Sequence, residues 1–364
     1  MWPFSKPESY LGVDIGSHGI KVVELVKRGH RPHLFTYGFA DEPISIHADN
    51  EKLLDVERVG AFLKQICQKS KTVSKRAFAS LPAAAVYSGY FTIPILKKEE
   101  KQLFVEREVS KFLKQPIADT ALDWKVIQPK IKKSKEAKEA EEDKHDKIEH
   151  ILVTATSKKL IAAYTEIFRI AGLQLLSIES EVFGLITALV GTDPSPALLI
   201  DMGGEQTDFF IVEEGVPIFF RSVNIGGRQC TEVIASQLGL DMSQAEAVKR
   251  DMAAERDGDA LINLLKKTLD PLVEEVNYSL EIYTKQKEQE TARPEKIILT
   301  GGAALLPKFD TLLSDRFAIK TYVGDPWSRV IYDPELQPVL ESIGPRFAVA
   351  LGMALRRLLK LPKV

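Results

Sequence analysis

The sequence predicts an α/β fold of two related halves with a cleft between them. Three observations carry that expectation. Strand-forming and helix-forming stretches alternate along most of the 364 residues. One strand–turn–strand motif occurs twice, about half a chain apart, which is how an internally duplicated architecture shows itself in a sequence. The composition is 45% hydrophobic and 27% charged. That suits a large two-lobed body or two to three domains, and it excludes a disordered, collagen-like or small disulfide-linked chain.

In chain order, residues 11–14 form a short apolar strand ending in an acid, 16–19 turn the chain, and 20–26 return it as a hairpin. Apolar residues at helical spacing (Val59, Phe62, Leu63, Ile66) mark a helix over 53–68. Strands are expected at 76–81 and 86–93, a charged helix at 97–114 and a strand at 124–127. Thirteen of the eighteen residues 130–147 are charged. Such a segment cannot bury a face, so it is expected to be a solvated loop dispensable for folding. A strand at 151–155, a helix at 158–171, a strand at 173–178 and a helix at 180–190 complete the first half. The Pro-rich stretch 193–196 reads as a boundary. Strands at 197–201, 208–213 and 216–223 follow, then a mostly helical region over 227–289, a buried strand at 296–300 and a last helix at 345–359.

Charge and cysteine content narrow the function classes. Lys+Arg is 49 and Asp+Glu is 51, a net charge of −2, which gives no overall pull toward nucleic acid. Cys67 and Cys230 form no CxxC pair and read as buried thiols. The six histidines show no ligand spacing, so no structural zinc site is expected. The first residues lack the apolar stretch of a signal peptide, and no uncharged apolar run reaches the length of about 18 that a membrane span needs. The expected location is cytoplasmic.

The repeated motif suggests chemistry. LGVDIGSHGIKVVEL at 11–25 and LLIDMGGEQTDFFIV at 198–212 share one plan, in which Asp14 matches Asp201 and Gly16 matches Gly203. Glycines let backbone N–H groups approach phosphate oxygens. His18 lies in the first turn, and Gly204 and Glu205 lie in the second. Ser17 and Thr207 can donate hydroxyl hydrogen bonds to phosphate, and Lys21 can reach it as a point charge. Asp14 and Asp201 can hold Mg²⁺ through its waters. A third piece, Gly301-Gly302-Ala303 after the buried strand, admits a flat adenosine against the backbone.

With these three pieces in this order, the chain resembles the actin-like ATPase superfamily. Within it, the chain is most similar to the branch of type IV pilus assembly and cell-division proteins (PilM and FtsA types) that carry an SHS2 insert. Besides the repeat, the likeness rests on VNIGGRQCTEVIASQLGLDMSQAEAVK at 223–249 and GPRFAVALGMALR at 344–356. It implies an actin-like fold with a first lobe at 8–75, 173–192 and 338–360. It implies an SHS2-type subdomain over 76–172 and a second lobe at 193–337, mostly helical over 240–290. It also implies that Gly226 and Gly227 line the phosphate side and that Glu246 and Lys249 flank the adenosine, although a Glu-x-x-Lys pair is commonly just a helix ion pair. ATP and Mg²⁺ are the implied ligands. The implied partner is the cytoplasmic N-terminal tail of a PilN-like inner-membrane protein, with membrane contact only through it, self-association possible and no nucleic acid.

One departure bears on mechanism. Hydrolytic members of the superfamily carry a water-orienting Glu or Gln at a helix start upstream of the second loop. Ser180 matches that position, and Glu179 and Glu181 are expected to point elsewhere. A hydroxyl is a poor base near neutral pH, so tight binding with at most slow hydrolysis is expected. The leading reading is an ATP-binding scaffold of type IV pilus or related type II secretion assembly. The alternatives are a small-molecule kinase and an FtsA-like filament-forming protein.

Overall fold

The computed structural model describes residues 8–42, 44, 55–113, 115–127, 148–254, 259–287 and 291–359; the charged segment 130–147 lies outside them. Three strands open the chain as an antiparallel meander: β1 (Ser9–Gly16), β2 (Gly19–Arg28) and β3 (Arg31–Ala40). After α1 (Val56–Lys69), β4 (Arg76–Leu81) returns parallel to β1. The chain then builds a separate antiparallel sheet from β5 (Tyr87–Pro94), β6 (Thr120–Ile127) and β7 (Ile148–Ser157), with α2 (Lys98–Ser110) on one face. Next, α3 (Lys158–Ile170) leads back to β8 (Gln174–Ser180), which lies parallel to β4. The first five-stranded sheet therefore runs β3-β2-β1-β4-β8.

The second half repeats this order. After α4 (Glu181–Leu185) and a π turn at Ile186–Val190, β9 (Ala197–Met202), β10 (Thr207–Glu213) and β11 (Val216–Val223) form the second meander. Three helices follow: α5 (Gly227–Leu238), α6 (Met242–Ala254) and α7 (Asp259–Gln286). Then β12 (Lys296–Thr300), α8 (Phe309–Phe317) and β13 (Lys320–Val323) complete a sheet of order β11-β10-β9-β12-β13, with β12 parallel to both neighbours. Two sheets with the same order and the same strand senses are the structural form of the repeated motif.

The long helix α9 (Gln337–Leu358) packs across β1, β2 and β4 and against α4. It is long and apolar enough to cross a membrane, but 67% of its most apolar window is buried in the protein. Glycines set its closeness. A Cβ on Gly12 of β1 would overlap the Ala350 carbonyl, and one on Gly352 would overlap Gly184 of α4. The Pro345 carbonyl, inside α9, accepts from Thr300 Oγ1 at 3.0 Å and Gly301 N at 3.1 Å, so the helix ties the first sheet to the end of β12. On the other side of the first sheet, buried Glu24 accepts from Ser9 Oγ (2.6 Å), Val73 N (2.7 Å) and Ser74 N (3.0 Å) and fixes the loop after α1.

Several expectations need correcting. The three-stranded sheet spans less than 76–172, because Arg76–Leu81 pairs inside the first sheet and α3 buries Tyr164, Ile167 and Phe168 in that sheet's core. Strand β3 is missing from the sequence reading. It is an edge strand, half-exposed on both faces, and shows no clean alternation. The short α8 and β13 were also unread. α9 starts eight residues before Pro345, which sits within the helix instead of opening it.

Candidate functional site

The two hairpin turns face each other across a cleft. The register of β1 on β2 sets Asp14 opposite Lys21, and their side chains form a largely buried ion pair at 3.6 Å. Lys21 Nζ hovers over Gly16, where a Cβ would come within 3.3 Å of it. Ser80 Oγ, at the end of β4, donates to Asp14 Oδ1 at 3.0 Å. Ser17 Oγ lies 3.3 Å from His18 Nδ1. The His18 ring lies against Gly204, where any side chain would collide with it, so the first turn touches the second. His18 Nε2 is 3.9 Å from Glu205, which in turn pairs with Arg228 at 3.0 Å. Burial pushes the imidazole down, aided by Lys21 and Arg228 and opposed by Glu205.

The second turn is bonded onto the start of α5. Gly227 N donates to Gly203 O and Arg228 N to Gly204 O, both at 2.9 Å. A Cβ on Gly226 would collide with the backbone of 203–204, so glycine there permits the contact. Thr207 departs from expectation. Its side chain is fully buried and its hydroxyl donates to the Ile225 carbonyl at 2.7 Å, so it serves the fold and does not face the cleft.

The Gly301–Ala303 turn closes the third side. Gly301 has φ +87°, and a Cβ there would run into Asp201 and Met202. Ala303 N donates to Met202 O at 3.0 Å. Lys249 Nζ donates to Gly227 O (2.9 Å) and Thr231 Oγ1 (2.8 Å) and pairs with Glu246 at 2.6 Å. Burial pushes the Glu246 carboxyl up, but Lys249 and Thr231 outweigh it and hold it below its ordinary range. The pair thus braces the start of α5 beside the turn. Across the mouth, Asp41 after β3 pairs with Arg346 of α9 and, at 3.6 Å, with Arg250 of α6. Sequence reasoning missed this clasp, because its members come from three distant segments.

An acid cluster at the cleft floor was also missed in part. Asp201 and Asp14 are joined there by Asp208 and Glu181. Ser180 is not the residue at the cleft, which corrects the expected assignment. Ser180 closes β8, opposite Leu81, and faces away, whereas Glu181 at the first position of α4 turns inward. Its Oε1 accepts from Ala83 N at 2.6 Å, and its carboxyl is within hydrogen-bonding reach of Asp208. Glu179 does point elsewhere and pairs with Arg356 at 2.7 Å. The readable signal was Asp208, an acid within the apolar run TDFFIV.

Burial pushes the Asp201 carboxyl up to about 7, with Asp208 and Asp14 adding to it and Lys21 opposing. Burial likewise raises Glu181 and Asp208. Among the described residues no three His, Cys, Asp or Glu side chains converge closely enough to ligate one ion directly. A cation in this cluster would be held through its own waters, as Mg²⁺ commonly is. A carboxyl raised on folding contributes stability that is full below its unfolded pKa of about 4 and is lost as pH rises through its folded value. Without Mg²⁺ or nucleotide, the melting temperature should therefore fall between about pH 4 and pH 7. Asp201→Asn should flatten part of that fall; an unchanged pH profile in this variant would contradict the cluster's role.

A groove of about 560 Å³ lies behind the cleft, between the three-stranded sheet and the second half. Its floor is the Ala83–Ala85 turn, one wall carries Tyr87 stacked on Phe112 at 5.6 Å, and the other is formed by Ile218–Phe220 of β11. Both bordering strands, β5 and β11, are edge strands of their sheets.

Comparison with known proteins places this geometry. The family model described as type IV pilus assembly protein PilM matches residues 12–358. Cell division protein FtsA of Staphylococcus epidermidis is 23% identical over 215 residues, covering 54% of this chain and 46% of that protein, so the chain spans about half the length of such relatives. Among solved structures, a PilM–PilN type IV pilus biogenesis complex superposes with a TM-score of 0.79 at 24% identity, covering 96% of this chain and 98% of that one. The ethanolamine utilization protein EutJ of Carboxydothermus hydrogenoformans gives 0.57 at 15% identity, covering 96% and 90%. MreB5 of Spiroplasma citri bound to AMPPNP gives 0.51 at 15% identity, covering 96% of each chain. The fold is that of the actin-like ATPases. With the family match spanning nearly all of its length, the chain belongs to the PilM family of type IV pilus assembly proteins.

Proposed function

We infer that the chain is a nucleotide-binding scaffold of type IV pilus assembly, or of related type II secretion, working at the cytoplasmic face of the inner membrane. ATP lies between the halves. Gly16, Ser17, His18 and Lys21 hold its phosphates from one side, and Gly203–Glu205 hold them from the other. Gly301–Ala303, with Glu246 and Lys249 behind it, receives the adenosine. Asp14 and Asp201 hold the waters of Mg²⁺, which when bound supplies positive charge against the phosphates. The observation that carries this reading is the pair of equivalent turns meeting across one cleft, with Lys21 poised over Gly16. Hydrolysis is slow, because Glu181, the cluster carboxylate at the start of α4, is engaged by Ala83 and Asp208.

The groove at Ala83–Ala85 takes the cytoplasmic N-terminal tail of a PilN-like inner-membrane protein. An extended peptide fits a channel bordered by two edge strands, since main-chain bonds supply affinity and side-chain pockets supply specificity. The PilM–PilN complex of the same fold supports the choice of partner. Ala84 is exposed on the groove floor, so Ala84→Trp should fill the channel without disturbing the core. Fluorescence anisotropy with a labelled synthetic peptide of the cognate PilN-like tail should show at least a tenfold affinity loss, about 1.4 kcal/mol. Unchanged tail affinity in this variant would place the partner elsewhere.

A further inference from the structure

We propose that the segment 80–85 couples the nucleotide cleft to the tail-binding groove through two hydrogen bonds, Ser80 to Asp14 and Ala83 to Glu181. The proposal rests on the readings of cleft and groove given above and names how one governs the other.

The chain runs from one site into the other within six residues. Ser80, still in β4, donates to Asp14 Oδ1 at 3.0 Å. Three residues on, Ala83 N donates to Glu181 Oε1 at 2.6 Å, the short length typical of a bond to a carboxylate. Ala83, Ala84 and Ala85 then form the groove floor. The facing segment has the same property. Ser180 and Val182 line the groove, while Glu181 between them turns into the acid cluster. The two segments are locked in register, Leu81 opposite Ser180.

The turn's own bonds are Ala85 N to Pro82 O at 2.9 Å and Val86 N to Ala83 O at 3.0 Å, both internal. Its far end is held by the three-stranded sheet, where Thr156 Oγ1 of β7 donates to the Ala85 carbonyl at 2.7 Å, and the Ala83 methyl packs in the core with Leu152, Val182 and Phe183. The bond from Ala83 to Glu181 ties the turn to the cleft. Phosphates and a cation in the cleft lie against Asp14 and Glu181 and interact differently with each placement of those carboxylates. A ligand that distinguishes two placements shifts their populations, and the coupling is reciprocal. A peptide pressing on Ala83–Ala85 must then alter nucleotide affinity by the same factor.

The test is hydrogen–deuterium exchange on the full chain, with and without Mg²⁺ and AMPPNP, alongside melting temperatures. In the native protein, loading should change exchange across residues 84–90 by about fivefold or more. Ala83→Pro removes the donor and puts the ring Cδ where the Glu181 oxygen lies, so the tie is broken. Pro82 is already extended (φ −54°, ψ 137°), and proline suits the first position of a helical turn. In that variant the exchange change should shrink below twofold, while Mg-AMPPNP still raises the melting temperature. Should Ala83→Pro not fold, Glu181→Gln replaces the charged acceptor with a neutral one and should reduce the change at least twofold. An equal exchange change in the variant and the native protein overturns the proposal. So does a native protein stabilised by Mg-AMPPNP with no change at 84–90. Absence of any stabilisation of the native protein instead overturns the cleft reading, and the coupling with it.

Discussion

Glu181→Gln should lower ATP turnover by about 10²-fold or more, the range a positioned general base contributes. The side chain stands in the acid cluster beside Asp14, Asp201 and Asp208, and glutamine keeps its size while removing the charge that can accept a proton from water. Ser180→Ala should leave turnover unchanged, because that hydroxyl sits at the groove and not in the cleft. Single-turnover measurement on nucleotide-loaded protein reads both. The opposite pattern, with loss on Ser180→Ala and none on Glu181→Gln, would mean that the residue facing the phosphates is Ser180 after all. The native rate should itself be low. Burial and the neighbouring carboxylates push the Glu181 carboxyl well above its ordinary range, which favours its neutral form until positive charge enters the cluster.

A second large effect is structural. Gly12→Val should leave little folded protein, or lower the melting temperature by roughly 10 °C or more, since overpacking a site that cannot relax is among the few causes of losses above about 4 kcal/mol. The first side-chain atom would already overlap the Ala350 carbonyl and crowd Ala354 N, which are backbone atoms of a helix buried on both sides. Gly352→Val on the opposite face of the same helix should act alike, because Gly184 occupies the space it needs. Gly29→Val is the control. No atom lies within 4 Å of a Cβ there, although its φ of +64° adds some backbone strain. Its loss should be clearly smaller by thermal melting. If Gly12→Val melts like the native protein, α9 does not seat on β1 as described.

The repeat was legible because Asp-x-Gly after an apolar strand is a local pattern, and two copies of it fix two hairpins without any knowledge of packing. That was enough for the halves, the cleft and the positions of Asp14, Lys21 and Asp201, while Gly301 was legible separately, as a Gly-Gly turn after a buried strand. What failed needed the third dimension. Thr207 looks like a phosphate donor in sequence, yet only the path of β11 reveals that Ile225 takes its hydroxyl. Ser180 and Glu181 are adjacent, and a strand-to-helix junction decides which one faces the cleft; alternation along the strand cannot be carried across that junction. The Asp41–Arg346–Arg250 clasp joins residues more than 200 positions apart and leaves no local trace. β3 escaped because an edge strand, wet on both faces, loses the alternation that marks a half-buried one.

Calorimetric titration of Mg-ATP into nucleotide-free protein, repeated on Asp201→Ala, tests the central claim that the two halves close on a magnesium nucleotide. The expected result is saturable one-to-one binding. In Asp201→Ala the Mg²⁺-dependent part of the affinity should be lost, with weaker metal-free binding retained through Lys21 and the glycine turns. No heat of binding at millimolar Mg-ATP, or equal Mg²⁺ dependence in the two proteins, would contradict the assignment of the cleft.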